Sequence, residues 1–395
     1  MKPARVLRGA GVVLAVLLAT FLLYWAVDEA AWSLLRHLDR GKVGYLESFP
    51  AYRLEAAASP AFERELSREP GGWELIPGAE LLEPAEFHGR FFNVDRLPPT
   101  GLAYRRTLDP PAAGRPVSTV LLLGGSAVYG PMVPDGSTLA SALAARLDKL
   151  DRDRAYRIYN AGVIGAASAQ ERDRLAVEIE RGLKPDIVIS FDGDIDATSG
   201  VYYGDVNRSE TLVAERSGAN SFAHRVLPTH IYDFLRSWAI ERRARNKELK
   251  APAHLADPAA MERLAGKTRA AFLERHRAMA ELAKSAGARY IAVLGPNPYS
   301  PRFAHPGADI ADVRRRAEAR YPGLPEAVAY AGPALSQAMR DLGADGIESI
   351  DLSDAPAGKT EDIYYDMGHY NSAGYRLLAV PIAAAILSGP RAPAP

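Results

Sequence analysis

The sequence predicts an α/β fold with a mostly parallel central sheet, and two observations lead to this prediction. First, short apolar runs recur from about residue 116; the run from Val117 to Leu123 is rich in Val and Leu, as a strand buried on both faces should be. Second, longer stretches with helical spacing of apolar residues separate these runs. Strands that alternate with helices form βαβ units, in which neighbouring strands run parallel.

The individual elements follow in chain order. Ser137 is expected to open the first helix, whose leucines recur on one side. The segment from Ser168 to Glu171 matches a capping box, and it opens a helix expected to end near Gly182. The remaining strands are expected at residues 156–159, 187–191, 290–294 and 347–352, and the remaining helices at 258–287, 325–342 and 372–387.

The composition limits the classes of partner and chemistry. The chain has 395 residues, and its 48 Lys and Arg are balanced by 48 Asp and Glu. Binding to nucleic acid needs a basic face, so no nucleic-acid partner is expected. Cysteine is absent, which excludes disulfides, thiolate catalysis and cysteine-based zinc sites.

The N-terminus, residues 1–28, is interpreted as a transmembrane anchor. After Lys2, Arg5 and Arg8, residues 9–27 carry no charge. A helix of this length measures about 28 Å, close to the hydrocarbon thickness of a bilayer. A cleaved signal peptide is the alternative, although it favours a shorter apolar core and a small-x-small site. The basic start is expected to stay in the cytoplasm, which places the rest of the chain in the periplasm or at the cell surface.

Three further segments are expected after this anchor. After the anchor, proline-rich breaks and a lack of sustained periodicity indicate a juxtamembrane helix followed by irregular structure. The last residues of the sequence are rich in Pro and Ala. The segments are residues 29–115 as this lead-in, residues 116–389 as the α/β domain with an insertion at about 200–257, and residues 390–395 as a disordered tail.

Polar motifs follow the predicted strands, at the edge where open parallel sheets bind their ligands. The first strand ends in two glycines and Ser126, a tight turn that can bring a hydroxyl close to a substrate, although such a turn alone needs no function. Asp366 precedes His369 by three residues. Its carboxylate can orient the imidazole, so that the other ring nitrogen can take a hydroxyl proton. This pattern indicates a Ser-His-Asp triad.

Four segments, in this order, resemble the conserved blocks of the SGNH/GDSL hydrolases: Gly124–Ser126, Asn160–Gly165, Gly193–Asp196 and Asp366–His369. The resemblance covers roughly residues 117–387. It implies a three-layer, flavodoxin-like fold and an ester-hydrolysing site that needs no metal or organic cofactor. It also implies Ser126 as nucleophile, His369 as base and Asp366 as orienting acid. The backbone amides of Ser126 and Gly165 would form the oxyanion hole.

One position departs from the family pattern. The third block usually reads Gly-x-Asn-Asp, and its Asn side chain donates to the oxyanion, but Ile195 stands at that position. Loss of one such donor typically costs on the order of a hundred- to a thousandfold in turnover. Asn297 is a candidate replacement, although a plain Asn-Pro turn also explains it. Asp196 is expected to line the site and to tie its loops together.

The sequence therefore predicts a serine esterase that acts on ester-linked acyl groups of an envelope polysaccharide, glycan or lipid. Two alternatives remain open. An O-acyltransferase would use the same three residues, with a sugar hydroxyl of an exopolysaccharide in place of water. A catalytically silent, glycan-binding envelope protein is favoured by Ile195 and disfavoured by the intact Ser126, Asp366 and His369.

Overall fold

The structure is a computed structural model of the chain. It describes residues 16–27, 30, 73–76, 79, 81–208, 250–298, 311, 313–315, 317–318, 321–357 and 363–389. The predicted tail at 390–395 and most of the predicted insertion at 200–257 lie outside these residues. The chain divides into two compact units, namely Met1–Ser48 with Ser221–Glu248, and Phe49–Asn220 with Leu249–Pro395.

In the first unit, residues 16–27 form a helix with exposed apolar side chains; Leu23, for example, is 66% exposed. Residues 1–15 and residue 28 of the predicted anchor lie outside the described residues. Within the part of the chain that the structure describes, no helix combines the length and apolarity needed to cross a membrane.

The second unit contains a mixed sheet of eight strands and a separate two-stranded antiparallel sheet formed by β1 and β2. The strands are β1 (Trp73–Leu75), β2 (Leu82–Pro84), β3 (Phe87–His88), β4 (Asn93–Leu97), β5 (Leu102–Arg105), β6 (Val117–Gly124), β7 (Ala155–Asn160), β8 (Ile187–Asp192), β9 (Arg289–Leu294) and β10 (Glu348–Asp351). The order across the large sheet is β10-β9-β8-β6-β7-β5-β4-β3.

Strands β6 to β10 pair in parallel and confirm the predicted alternation. Their order, β7-β6-β8-β9-β10, is the flavodoxin-like order. The chain moves outward from β6 to β7 and then returns past β6 to β8. The carboxyl ends of β6 and β8 therefore flank the point where the strand order reverses, which is where open α/β sheets bind ligands.

Helices cover both faces of this sheet. They are α1 (Ser126–Tyr129), α2 (Leu139–Leu150), α3 (Ser168–Glu180), α4 (Asp194–Ala197), α5 (Pro258–Ser285), α6 (Leu324–Ala344) and α7 (Ser372–Ser388). Helix α2 packs on α7, whereas α3, α5 and α6 pack in series. Right-handed crossovers place α2 and α3 on opposite faces, because the chain reverses its direction across the sheet between them. The fold is thus three-layered.

The interpretation of residues 29–115 as irregular is wrong for its C-terminal part, because β3, β4 and β5 extend the sheet in antiparallel orientation. Buried polar contacts hold these short strands. Arg105 is fully buried and pairs with Asp135, whose carboxylate also accepts from the Asn93 amide nitrogen at 2.6 Å. The α/β domain therefore begins before residue 116.

Two predicted helix starts differ by one residue from the observed ones. Thr138, and not Ser137, caps α2, since its hydroxyl oxygen accepts from the Ser141 amide at 3.2 Å. Ser168 is the first residue of α3 and not its cap. The Gln170 side chain accepts from the Ala167 amide at 3.0 Å instead.

Candidate active site

The turn between β6 and α1 presents Ser126 at the carboxyl edge of the sheet. Ser126 is the first residue of α1 and is 7% exposed. The preceding residue, Gly125, packs against the next loop so closely that a Cβ there would lie 2.8 Å from the Ala166 carbonyl oxygen. A glycine is required at this position because no real Cβ tolerates such a contact with backbone.

The loop after β7 is tied to this turn by Asn160. The Asn160 amide nitrogen donates to the Val128 carbonyl at 2.9 Å, and its amide oxygen accepts from the Gly162 backbone at 3.1 Å. Gly165, the predicted second oxyanion donor, has a φ of 73°, in the region that favours glycine. Ala166, the next residue, lines the cleft at Ser126, whereas Gly165 is not among the residues that line it.

Asp366 and His369 form the predicted acid–base pair within one loop before α7. The Nδ1 atom of His369 lies 2.7 Å from each carboxylate oxygen of Asp366. The same carboxylate accepts from the backbone amides of Gly368 and His369, both at 2.9 Å. This carboxylate therefore fixes the loop backbone as well as the ring, which orients Nε2 away from Asp366.

Neighbouring charges change the pKa values of this pair. Burial lowers the pKa of His369, but the charge and hydrogen bond of Asp366, together with the charge of Asp194, more than offset it, so that the pKa is raised. Burial raises the pKa of Asp366, but His369 and two backbone amides outweigh it, so that this pKa is lowered. Asp366 is therefore ionised throughout the pH range in which the imidazole of His369 gains or loses its proton.

A cleft joins the serine turn to the acid–base loop. Its lining includes Ser126, Asp194 and Ile195 from the ends of β6 and β8, with Gly368 and Tyr370 from either side of His369. No hydrogen bond joins Ser126 Oγ to His369 Nε2, and Nε2 is buried without a partner among the described residues. An unpaired buried nitrogen is rare in folded proteins.

Two of the other predicted site residues have contrasting positions. Asp196 lines the cleft and ties α4 to α3, since its carboxylate accepts from the Ser168 hydroxyl at 2.6 Å and from the Ser168 amide at 3.1 Å. Asn297 does not line this cleft, and its amide nitrogen donates to Asp194 Oδ1 at 2.6 Å. In the structure, Asn297 therefore binds Asp194 and is not placed as the predicted replacement oxyanion donor.

Ile195 lies at the position where a third oxyanion donor is expected. It lines the cleft, and its Cγ1 atom would be 3.4 Å from a Cβ on Gly125, in the turn that carries Ser126. Its side chain gives the site an apolar surface beside Ser126 in place of an amide.

Sequence reasoning missed two contributors to the site. Asp194 lies so close to Gly368 that a Cβ there would meet its Oδ2 atom at 2.5 Å, which places a second carboxylate against the His369 loop. The Tyr370 hydroxyl donates to the Pro296 carbonyl at 2.5 Å and so fixes this loop to the end of β9. In the sequence, the only indication that these two residues contribute to the site was their position. Asp194 lies within the motif at 193–196, and Tyr370 directly follows the motif at 366–369.

A buried polar network lies beneath the end of β8 and was also missed. Ser190 Oγ lies 2.7 Å from Glu171 Oε2 and 2.5 Å from Asp192 Oδ2. His276 Nε2 lies 3.3 Å from Asp192, and its Nδ1 atom is 2.7 Å from the Tyr290 hydroxyl. Burial, with the charge of Asp192, raises the pKa of Glu171 well above its ordinary value. Of the two carboxyl groups, Glu171 is therefore the one whose protonated form is favoured.

The fold and this site define a flavodoxin-like α/β protein with a serine turn and an Asp–His pair at one cleft. No protein-family model and no curated protein sequence matches the chain. Among solved structures, it is similar to a member of the lipolytic G-D-S-L family from Veillonella parvula, with 12% identity over 69% of this chain and 98% of that one and a TM-score of 0.38.

Two other similar structures are a lipase/acylhydrolase and an acetylxylan esterase. The first, from Enterococcus faecalis, is 18% identical over 68% of this chain and 95% of its own, with a TM-score of 0.35. The second, a catalytic mutant from Geobacillus stearothermophilus, is 11% identical over 70% and 95%, with a TM-score of 0.36. These descriptions belong to the similar proteins, and the function proposed below rests on this chain's own residues.

Proposed function

We propose that this protein is a serine esterase of the SGNH/GDSL type, with Ser126 as nucleophile, His369 as base and Asp366 as orienting acid. One observation carries the proposal. The imidazole of His369 is held at Nδ1 by Asp366, while its buried Nε2 atom has no hydrogen-bond partner among the described residues. The loop that carries His369 lines the Ser126 cleft through Gly368 and Tyr370. A base oriented in this way is suited to taking the proton of a nearby hydroxyl.

The reaction proceeds in two steps. His369 Nε2 takes the Ser126 proton as Oγ attacks the ester carbonyl carbon, and the imidazolium then gives this proton to the departing alcohol. In the second step the same imidazole deprotonates water, which attacks the acyl-serine carbonyl carbon. The bond to Ser126 Oγ then breaks, the imidazolium returns its proton to Oγ, and the carboxylic acid leaves. Asp366 stabilises the imidazolium in both steps because its carboxylate stays ionised.

Oxyanion stabilisation falls to backbone amides. The amides of Ser126 and Gly165 donate to no backbone carbonyl among the described residues. Ser126 lines the cleft, and Gly165 directly precedes the cleft-lining Ala166, so these two amides are assigned as the oxyanion donors. With Ile195 at the third position, the site has one donor fewer than the family pattern. Turnover is therefore expected to be modest.

The substrate class follows from the expected location. The charge-free stretch of residues 9–27 supports a membrane anchor, and residues 16–27 within it are helical with exposed apolar side chains. An anchored domain on the outer side of the membrane would meet ester-linked acyl groups on envelope polysaccharide, glycan or lipid. No nucleic-acid partner is expected, because the formal net charge is zero.

The test uses the full-length chain in detergent micelles, treated with a fluorophosphonate probe and with a panel of short acyl esters. Labelling that disappears in Ser126→Ala and is strongly reduced in His369→Ala supports the esterase. Ser199→Ala, at another buried serine, serves as the matched control and should keep full labelling.

Two other outcomes would redirect the assignment. An unlabelled protein that turns over no ester, yet binds glycan, would favour a silent binding protein, which the apolar Ile195 supports. Transfer of the acyl group to a polysaccharide hydroxyl, detected by product analysis, would identify an O-acyltransferase with the same three residues.

A further inference from the structure

A second cavity, here called the side pocket, adjoins the Ser126 cleft and has a volume of about 180 Å³. It lies between the carboxyl ends of β8 and β9 and one face of α6. Residues from both sides line it, including Gly193, Leu294 and Gly295 from the strand ends and Val328, Gly332 and Leu335 from the helix.

The lining of the side pocket is uncharged. Leu294, Val328 and Leu335 contribute buried apolar surface, and the polar side chains are those of Asn297, Ser336 and Ser353. No Lys, Arg, Asp or Glu of the described residues lines it. Such a lining favours a hydrocarbon group and disfavours a charged one, since a buried charge without a partner is costly.

The side pocket and the cleft share a thin boundary of two glycines. Gly193 and Gly295 line both cavities. Gly193 has a φ of 128°, and a Cβ there would lie 2.6 Å from the Leu294 side chain. A hydrogen bond of 2.6 Å crosses the same boundary, from Asn297, which lines the side pocket, to Asp194, which lines the cleft.

We infer that the side pocket binds a hydrocarbon chain of the ester substrate, about six carbons long. The inference rests on the proposed esterase function, because the ester group must lie at Ser126 for the chain to reach the shared boundary. The size follows from comparison with cavities of known capacity, since an apolar cavity of about 150 Å³ binds benzene.

Helix α6 provides the means to test this inference. Val328, Gly332 and Leu335 are spaced four and three residues apart, so they lie on one face of the helix, which faces the pocket. A Cβ on Gly332 would meet nothing within 4 Å. A leucine there would therefore fill the pocket without a clash, and it would also favour the helix, since glycine is a poor helix former.

The experiment measures kcat/KM of the full-length chain for p-nitrophenyl esters from acetate to octanoate. In the natural protein the value should rise about fourfold for each added methylene up to hexanoate and then level off. In Gly332→Leu the ratio of hexanoate to acetate turnover should fall at least tenfold. The matched control is Gly266→Leu, at an open glycine in the exposed part of α5, which should keep the natural ratio.

A second series places the chain on the other side of the ester. Alkyl acetates from ethyl to octyl carry the hydrocarbon in the alcohol part of the ester. If Gly332→Leu removes the chain-length dependence for the p-nitrophenyl esters, the pocket holds the acyl chain. If it does so for the alkyl acetates, the pocket holds the alcohol chain. A natural protein whose turnover is independent of chain length in both series would overturn the inference. An unchanged ratio in Gly332→Leu would do the same.

Calorimetry separates this inference from the esterase proposal. In Ser126→Ala, hexanamide should bind more tightly than acetamide, and adding Gly332→Leu should weaken hexanamide binding at least tenfold. That result would support binding of a hydrocarbon chain in the side pocket, even if Ser126 proves not to be the nucleophile. Equal binding of hexanamide to both proteins would rule the pocket out, even where ester hydrolysis depends on Ser126.

Discussion

Asp366 holds the ring of His369 with both oxygens of its carboxylate, each 2.7 Å from Nδ1, and the same carboxylate accepts two backbone amides of the loop. The residue therefore acts on the position, the tautomer and the charge of the imidazole. Each of these effects should be visible when the carboxylate is replaced.

The substitution Asp366→Asn should lower turnover on the order of a thousand- to ten-thousandfold, as the loss of the triad acid does elsewhere. In the natural protein, kcat/KM should rise with pH as His369 loses its proton, with an apparent pKa above the ordinary value of about 6.5. Without the carboxylate the imidazolium is less favoured, so this rise should move to lower pH. The measurement is the pH dependence of kcat/KM for an acetate ester.

The matched control for this prediction is Asp153→Asn, which changes an exposed carboxylate at the opposite edge of the sheet, before β7. Its pH profile should equal that of the natural protein. An Asp366→Asn profile that also stays in place would show that another group sets the pKa of the base.

The substitution Ile195→Asn should raise turnover. It places an amide donor in the cleft beside the turn that carries Ser126, and one oxyanion donor is worth on the order of a hundred- to a thousandfold in kcat. The measurement is kcat for short acyl esters, with Ile195→Val as the control that keeps the surface apolar. A decrease in kcat with asparagine would mean that the oxyanion lies elsewhere.

The substitution Asp135→Ala should destabilise the fold by about 3–5 kcal/mol, because it leaves the fully buried guanidinium of Arg105 without its carboxylate. Urea unfolding measures the loss. Asp148→Ala is the comparison, since Asp148 pairs with Arg115 at 2.7 Å but is more exposed, and its removal should cost less than about 1 kcal/mol. Equal losses in both proteins would contradict the buried character of the Arg105 pair.

The substitution Glu171→Gln should make the free energy of unfolding less sensitive to a rise in pH above the unfolded pKa of glutamate, about 4.3. Glu171 has a raised pKa in the folded state, so its contribution is fully present below its unfolded pKa of about 4.3 and is lost as pH rises toward the folded pKa. Within this window the natural protein loses up to about 1.4 kcal/mol of unfolding free energy per pH unit from this group.

Glutamine mimics the protonated carboxyl and cannot ionise. The difference in urea midpoint between Glu171→Gln and the natural protein should therefore grow in favour of the variant between pH 5 and pH 8. Ser190→Ala is an independent check, because the Ser190 hydroxyl contacts the carboxyl groups of both Glu171 and Asp192. This substitution should change how steeply the free energy of unfolding falls with pH. Parallel stability curves for the natural and glutamine proteins would show that Glu171 is already ionised.

The parallel part of the fold could be predicted from the sequence because local patterns determine it. Strand β8 is buried along its whole length, with Ile187, Val188, Ile189 and Phe191 as its apolar residues, and α5 begins at Pro258 after the capping Asp257. The strands β3 to β5 could not be predicted, because they are two to five residues long and charged residues interrupt or end the apolar runs of β4 and β5. Their stability comes from partners far away in the chain, such as Arg105 with Asp135, which no local pattern reveals.

The same distinction applies to the site. The pairing of Asp366 with His369 is local, so a spacing of three residues was enough to predict it. The role of Asn297 was not local. Whether its amide meets the substrate or Asp194 depends on how the loops after β8 and β9 approach each other, and here they bring Asn297 to Asp194. The contribution of Asp194 to the His369 pKa has the same origin.

The antiparallel strands join the parallel sheet at a single register pair, Arg105 with Asn160, at the end of β7 that carries the site. A chain shortened to begin at residue 116 would lose more than this pair. Asp135 would lack its guanidinium, and Glu178 would lack the Tyr104 hydroxyl, with both carboxylates left in the interior. Part of the β7 edge would also be open to pairing with other molecules. We therefore expect a stably folded α/β unit to include the strands β3 to β5.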